Sequence, residues 1–163
     1  MSALYFFLQG IPECMGFIAL SLAIAKVPLR WGYILAGGII VSSISYVIRS
    51  LPFTFGLHLP VIIFLVFILI FRLTTTSAYK SIVATFFSLV ALAVLEYFVS
   101  QAFFLISRMN PQQVIANEPL WSAIGVVQAT ILNIIALGVA YLLKPTEGMW
   151  RHELPEFQQE TIK

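Results

Sequence analysis

The sequence predicts an all-α polytopic membrane protein, a five-helix transmembrane bundle, and three observations carry that prediction. Of 163 residues, 60% are apolar and only 10% are charged, less than half the roughly 25% charged residues of soluble domains. The chain has no aspartate, so the polar surface that a water-soluble domain needs is missing. Apolar runs such as Val61 to Phe71 and Ile82 to Leu95 alternate with short polar gaps, which is the pattern of helices whose solvent is hydrocarbon. Finally, Lys and Arg concentrate in every second gap.

A crossing takes about 20 residues, which places spans at 3–25, 31–48, 57–71, 81–106 and 119–143, followed by a short cytoplasmic tail over 144–163. Five crossings put the termini on opposite sides. Lys26, Arg30, Arg72, Lys80, Lys144, Arg151 and Lys163 then share one side, while Arg49 and Arg108 lie on the other. The positive-inside rule orients the N-terminus outside and the C-terminus in the cytoplasm of a bacterial inner membrane. Ala23-Ile24-Ala25 resembles a signal-peptidase site, but Pro12 and Glu13 interrupt the apolar stretch and cleavage would invert the charge rule, so the first span is read as retained.

Between Pro60 and Phe71 the third span covers roughly 18 Å of a core about 30 Å thick, so the segment before it must also enter the membrane. That segment, Leu51-Pro52-Phe53-Thr54-Phe55-Gly56-Leu57-His58, carries two prolines within reach and a glycine, which favour irregular backbone at the outer interface. A second outer loop pairs Asn110 with Pro111 and Glu118 with Pro119. The pairing predicts a short interfacial helix from Pro111 to about Ala116.

Helical spacing sorts the polar and small residues into faces. Gly38, Ser42, Ser45 and Arg49 form one stripe in the second span, and Ala129, Asn133, Ala136 and Ala140 repeat the spacing in the fifth. Both read as packing seams. Gln9, Glu13 and Gly16 share a face of the first span, as do Glu96 and Ser100 in the fourth. A carboxylate at mid-membrane costs several kcal/mol unless paired, neutral or wet, so Glu13 and Glu96 are expected to face the interior. The polar cluster expected from this is Glu13, Arg49, His58 and Glu96, with Gln9 beside it. The competing structural reading has Arg49 snorkelling to the headgroups and each Glu neutral and hydrogen-bonded.

Enzyme chemistry fits poorly: His58 has no nucleophile at a recognisable spacing, and nothing orients a base toward Cys14. No His-x-x-His or Glu-x-x-His pattern supports a metal, a single cysteine excludes an intrachain disulfide, and the chain implies no cofactor. A net charge of +2 without a basic stripe argues against nucleic acid. The tail segment Arg151-His152-Glu153-Leu154 is faintly similar to a phosphoacceptor segment of histidine kinases, but Pro155 breaks the helix such a segment requires. The tail is therefore read as solvated and amphiphilic, with Trp150 at the membrane interface.

Taken in order, Ile11-Pro12-Glu13, the run Ile18 to Ala25, Ser45-Tyr46-Val47-Ile48-Arg49 leading into Leu51 to His58, and Glu96 late in the fourth span resemble a known pattern. It is that of the N-terminal multi-span sensor domain of Gram-positive, clostridial-type sensor histidine kinases, which include relatives of quorum-sensing peptide receptors. The resemblance covers about residues 8–143. It implies that Glu13, Arg49, Gly56 and His58 are the matched positions and that the outer loop, with Pro52, Phe53 and Phe55, lies near a stimulus-sensing surface. The dimerisation and ATP-binding domains of that family are absent from the sequence, so the expectation is a sensor or regulatory protein acting on a separate kinase or regulator. A substrate-binding transporter subunit and a structural or assembly subunit are the alternatives. The expected partners are the lipid bilayer and either a kinase or regulator or a second copy of the chain.

Overall fold

Local capping chemistry sets three of the six helix starts. In the computed structural model, which describes residues 2–50 and 58–151, the elements are α1 (Ala3–Ile24), α2 (Trp31–Ser50), α3 (His58–Leu73), α4 (Ala78–Ser107), α5 (Pro111–Ala116) and α6 (Glu118–Leu143). The Ser77 hydroxyl accepts from the Lys80 amide at 3.4 Å, Asn110 Oδ1 from Gln112 at 3.1 Å and Asn117 Oδ1 from Leu120 at 3.3 Å. Each satisfies a donor that a helix start leaves without an intrahelical partner. Pro111 and Pro119 sit in the first turns of α5 and α6, where no amide hydrogen is needed. The Ser77 cap starts α4 ahead of the predicted span, giving a helix of 30 residues. Lys26, Arg108 and Lys144, just past the ends of α1, α4 and α6, all take positive φ, and each puts a cation at the negative end of a helix dipole.

Four helices, α1, α2, α4 and α6, are long and apolar enough to cross a membrane. The fifth, α3, is apolar but has 16 residues, about 24 Å of rise. Large apolar side chains including Phe64, Phe86, Phe87, Phe98, Leu105, Ile106 and Ile134 stand exposed around the outside. An aqueous surface of that kind would aggregate; a bilayer solvates it. Among the described residues there is no strand, only a bridge between Thr74 and Trp150.

The central helix is α1, which packs against α2, α4 and α6, while α3 closes the ring between α2 and α4. From Gly16 to Ala23 α1 is buried on every side. This half of the bundle is tightly packed: a Cβ on Gly37 would lie 2.8 Å from Leu69 and 3.1 Å from Ile18, and one on Gly16 would lie 3.0 Å from Leu132 and Asn133. In hydrocarbon such close approach matters because van der Waals packing, not exclusion of water, holds helices together. Ala129 and Ala136 are fully buried, and Asn133 Nδ2 donates to the carbonyl of Pro12 at 3.0 Å and to that of Ala129 at 2.8 Å. The seam of α6 thus lies on the proline turn of α1.

Beyond α6 the chain folds back. Trp150, placed at the membrane interface by sequence alone, is fully buried against protein: its Nε1 donates to the Pro28 carbonyl at 3.0 Å and its ring stacks on Tyr33 with centroids 5.0 Å apart. The Thr75 amide donates to the Met149 carbonyl at 2.9 Å, the Thr146 amide to that of Lys26 at 2.9 Å and Arg151 Nε to that of Thr74 at 2.8 Å. Residues 144–151 therefore strap the α1–α2 and α3–α4 turns together. Thr74, Thr76 and Ser81 form a buried hydroxyl chain under the strap, with oxygens 2.6 and 2.9 Å apart. The remainder of the tail, including His152, lies outside the described residues.

Candidate functional site

Toward the opposite end five helices line a cavity of about 530 Å³. Its wall on α1 is Phe6, Gln9, Gly10, Glu13, Cys14 and Phe17; α2 adds Ser42, Ser45 and Arg49; α3 adds Leu59 and Ile62; α4 adds Leu89, Leu92, Ala93 and Glu96; α6 adds Trp121. The lower wall is apolar and the polar groups ring the middle and mouth.

Proline in α1 explains part of this geometry. Pro12 has no amide hydrogen to give to the preceding turn, and the polar residues Gln9 and Glu13 flank it, about 9 and 15 Å in from the start of α1. Glu13 accepts a hydrogen bond from Gln9 and lies within electrostatic reach of both Glu96 and Arg49. Arg49, in the last turn of α2, is exposed and holds its guanidinium 5.6 Å from the centre of the Phe6 ring. Glu96 is exposed at the cavity edge rather than enclosed. The Oε1 of Gln9 and the Oγ of Ser42 are buried without a hydrogen-bond partner.

Of the residues expected in a polar cluster, Glu13, Arg49, Glu96 and Gln9 thus come together around one cavity. His58 opens α3 one residue before the lining Leu59; its side chain, and the outer-loop positions Pro52, Phe53, Phe55 and Gly56, lie outside the described residues. Ser100 is not on the cavity wall. The stripe Gly38, Ser42, Ser45 and Arg49 has two uses along its length: Gly38 packs on Met15, and Ser42, Ser45 and Arg49 line the cavity. Among the described residues no three His, Cys, Asp or Glu side chains converge as a metal site.

Several wall residues were not singled out from sequence. On α4, Leu89, Leu92, Ala93 and Glu96 follow the i, i+3, i+4, i+7 rule, so walking down the face from Glu96 finds them. Trp121, Leu59 and Ile62 carry no such signal, because their position depends on how α3 and α6 pack. Gly125 is a further case. A Cβ there would overlap the Gln9 side chain, so the missing side chain of α6 makes the space in which Gln9 reaches Glu13. Gly125→Ala is expected to displace Gln9 and to cost about 1–3 kcal/mol by overpacking. In a double-mutant cycle of thermal unfolding with Gln9→Ala, that cost should vanish; an equal cost in both backgrounds would show that Gly125 serves something other than Gln9.

Compared with known proteins, the chain matches no protein-family model, no curated protein and no solved structure.

Proposed function

We propose that this chain is an integral membrane sensor or regulatory protein. It crosses the membrane five times with its N-terminus outside, receives a small ligand in the cavity at the outer end of the bundle, and signals through α6 and the strap to a cytoplasmic partner such as a histidine kinase. The observation that carries this reading is the division of the bundle: a polar cavity with two carboxylates and an arginine at one end, a close-packed and strapped end at the other, and α1 and α6 running the length between them. The charge distribution supports the orientation, because Lys26, Arg30, Arg72, Lys80, Lys144 and Arg151 all flank the strapped end. Under this reading α3, 16 residues or about 24 Å long, counts as the fifth crossing. A ligand that prefers one packing of α1 on α6 shifts the population of strap geometries, which is what coupling between two sites requires. The resemblance to kinase sensor domains points to the same class.

The alternative is a substrate-binding subunit of a transporter, favoured by the depth of Glu13 within the bundle. Purification of a C-terminally tagged chain from native membranes distinguishes them. Co-purification of a histidine kinase or response regulator, in an amount changed by Glu13→Gln and Arg49→Leu, is the expected result. Recovery of an ATPase with a coupling membrane subunit would replace sensing with transport.

A further inference from the structure

The cavity gathers several acceptors around Glu13, while its strongest donors, Arg49 and Trp121, lie near the outer helix ends. Its wall presents the Glu13 carboxylate, the Glu96 carboxylate at the open edge, the buried Gln9 Oε1 and the Ser42 Oγ, and the last two have no partner. Ser42 is 1% exposed, so water outside the bundle does not reach it freely. Unpaired polar atoms at such a position are costly, and the like charges of Glu13 and Glu96 oppose each other, an effect that Arg49 only partly offsets. On the donor side, Gln9 spends its amide on Glu13, and Arg49 lies at the mouth over Phe6. Below the acceptors the wall turns apolar with Phe17, Leu89 and Leu92.

We infer that the cavity binds a small organic ammonium ion with an apolar body, the ammonium set among Glu13, Glu96, Gln9 Oε1 and Ser42 Oγ and the body against Phe17, Leu89 and Leu92. A primary ammonium offers three donors and no acceptor, enough for the two unpaired oxygens and one carboxylate at once. An anion would meet the Glu13 and Glu96 side chains and find the cation Arg49 at the mouth, and a neutral molecule would bring no charge to offset the acids. The volume of about 530 Å³ falls in the range of small-molecule sites, and the aromatic rings at the wall add cation–π attraction. This inference rests on the reading of the cavity as a ligand site and deepens it.

Equilibrium binding to the purified full chain in lipid nanodiscs tests it, with phenethylamine, phenylethanol and phenylacetate as probes of matched size and different charge. Saturable binding of phenethylamine, at least about tenfold tighter than either analogue and weakened about tenfold by Glu13→Gln, is expected from the loss of one charge-assisted hydrogen bond. Ser42→Ala, which keeps both carboxylates, should weaken it less, and unchanged thermal midpoints show that both variants fold. Equal or tighter binding of phenylethanol or phenylacetate with the same dependence on Glu13 would overturn the ammonium assignment while leaving a ligand site. No saturable amine binding to folded protein would overturn it outright. Selective amine binding with unchanged hydrogen exchange in residues 144–151 would uphold the ammonium assignment and remove the sensing reading instead.

Discussion

Trp150→Ala is expected to release the strap over residues 144–151 and to destabilise the chain by about 3–5 kcal/mol, the cost of truncating a large buried aromatic. The indole is fully buried, stacks on Tyr33, lies 5.8 Å from the Arg30 guanidinium and donates to the Pro28 carbonyl. Truncation removes these contacts together and uncovers the Thr74, Thr76 and Ser81 hydroxyls beneath. Trp150→Phe keeps most of the volume and loses the Pro28 hydrogen bond, so it should cost about 1 kcal/mol. Thermal unfolding in detergent and hydrogen exchange of residues 144–151 measure both effects. Tyr141→Ala, at a residue 85% exposed, is the matched control. If Trp150→Ala and Tyr141→Ala unfold at the same temperature, the strap contributes nothing to the fold.

Gly38→Leu is the second large effect. A Cβ at Gly38 would already lie 2.7 Å from Met15 Cγ and 3.3 Å from the backbone carbonyl of Ile11. Met15 can rotate away, but the carbonyl moves only if α1 and α2 separate. The expected cost exceeds the about 1–3 kcal/mol typical of overpacking, and separation also pulls Ser42 away from Gly10, widening the cavity. Gly138→Leu adds the same side chain where nothing lies within 4 Å of the Cβ position. It should leave the thermal midpoint unchanged. A similar loss from both substitutions would mean that leucine in the helix, rather than the α1–α2 contact, is responsible.

Much of the helical layout is legible in the sequence because it depends on one-dimensional quantities. Apolar run length predicts five spans, four of which coincide with helices long enough to cross, and Asn110-Pro111 with Asn117 to Pro119 marks the short α5 and the start of α6 through capping alone. The spacing of Gln9, Glu13 and Gly16, and of Gly38, Ser42, Ser45 and Arg49, places each set on one side of its helix whatever that helix packs against. A rotation of α1 about its own axis would still keep Gln9 above Glu13.

Which sides meet is a different matter, because helices in hydrocarbon are matched by shape and not by a hydrophobic stripe. Gly125 is one of several small residues in α6, and only the docked structure shows that its missing Cβ is the space filled by Gln9. Trp150 has the composition of an interfacial anchor, yet the Gly148 turn, with φ of 75°, brings it back under Tyr33. That return depends on carbonyls exposed in two distant turns, at Pro28 and Thr74. Glu96 belongs with Glu13 by charge, but its place at the open edge of the cavity depends on how α4 packs beside α1 and α3. The sequence by itself determined the membrane as solvent, the helices and the side of each helix that carries polar groups, since all three follow from residue order and the helical repeat. The tertiary structure decided that those groups share one cavity and that the chain straps the far end, since both depend on close contacts between residues distant in sequence.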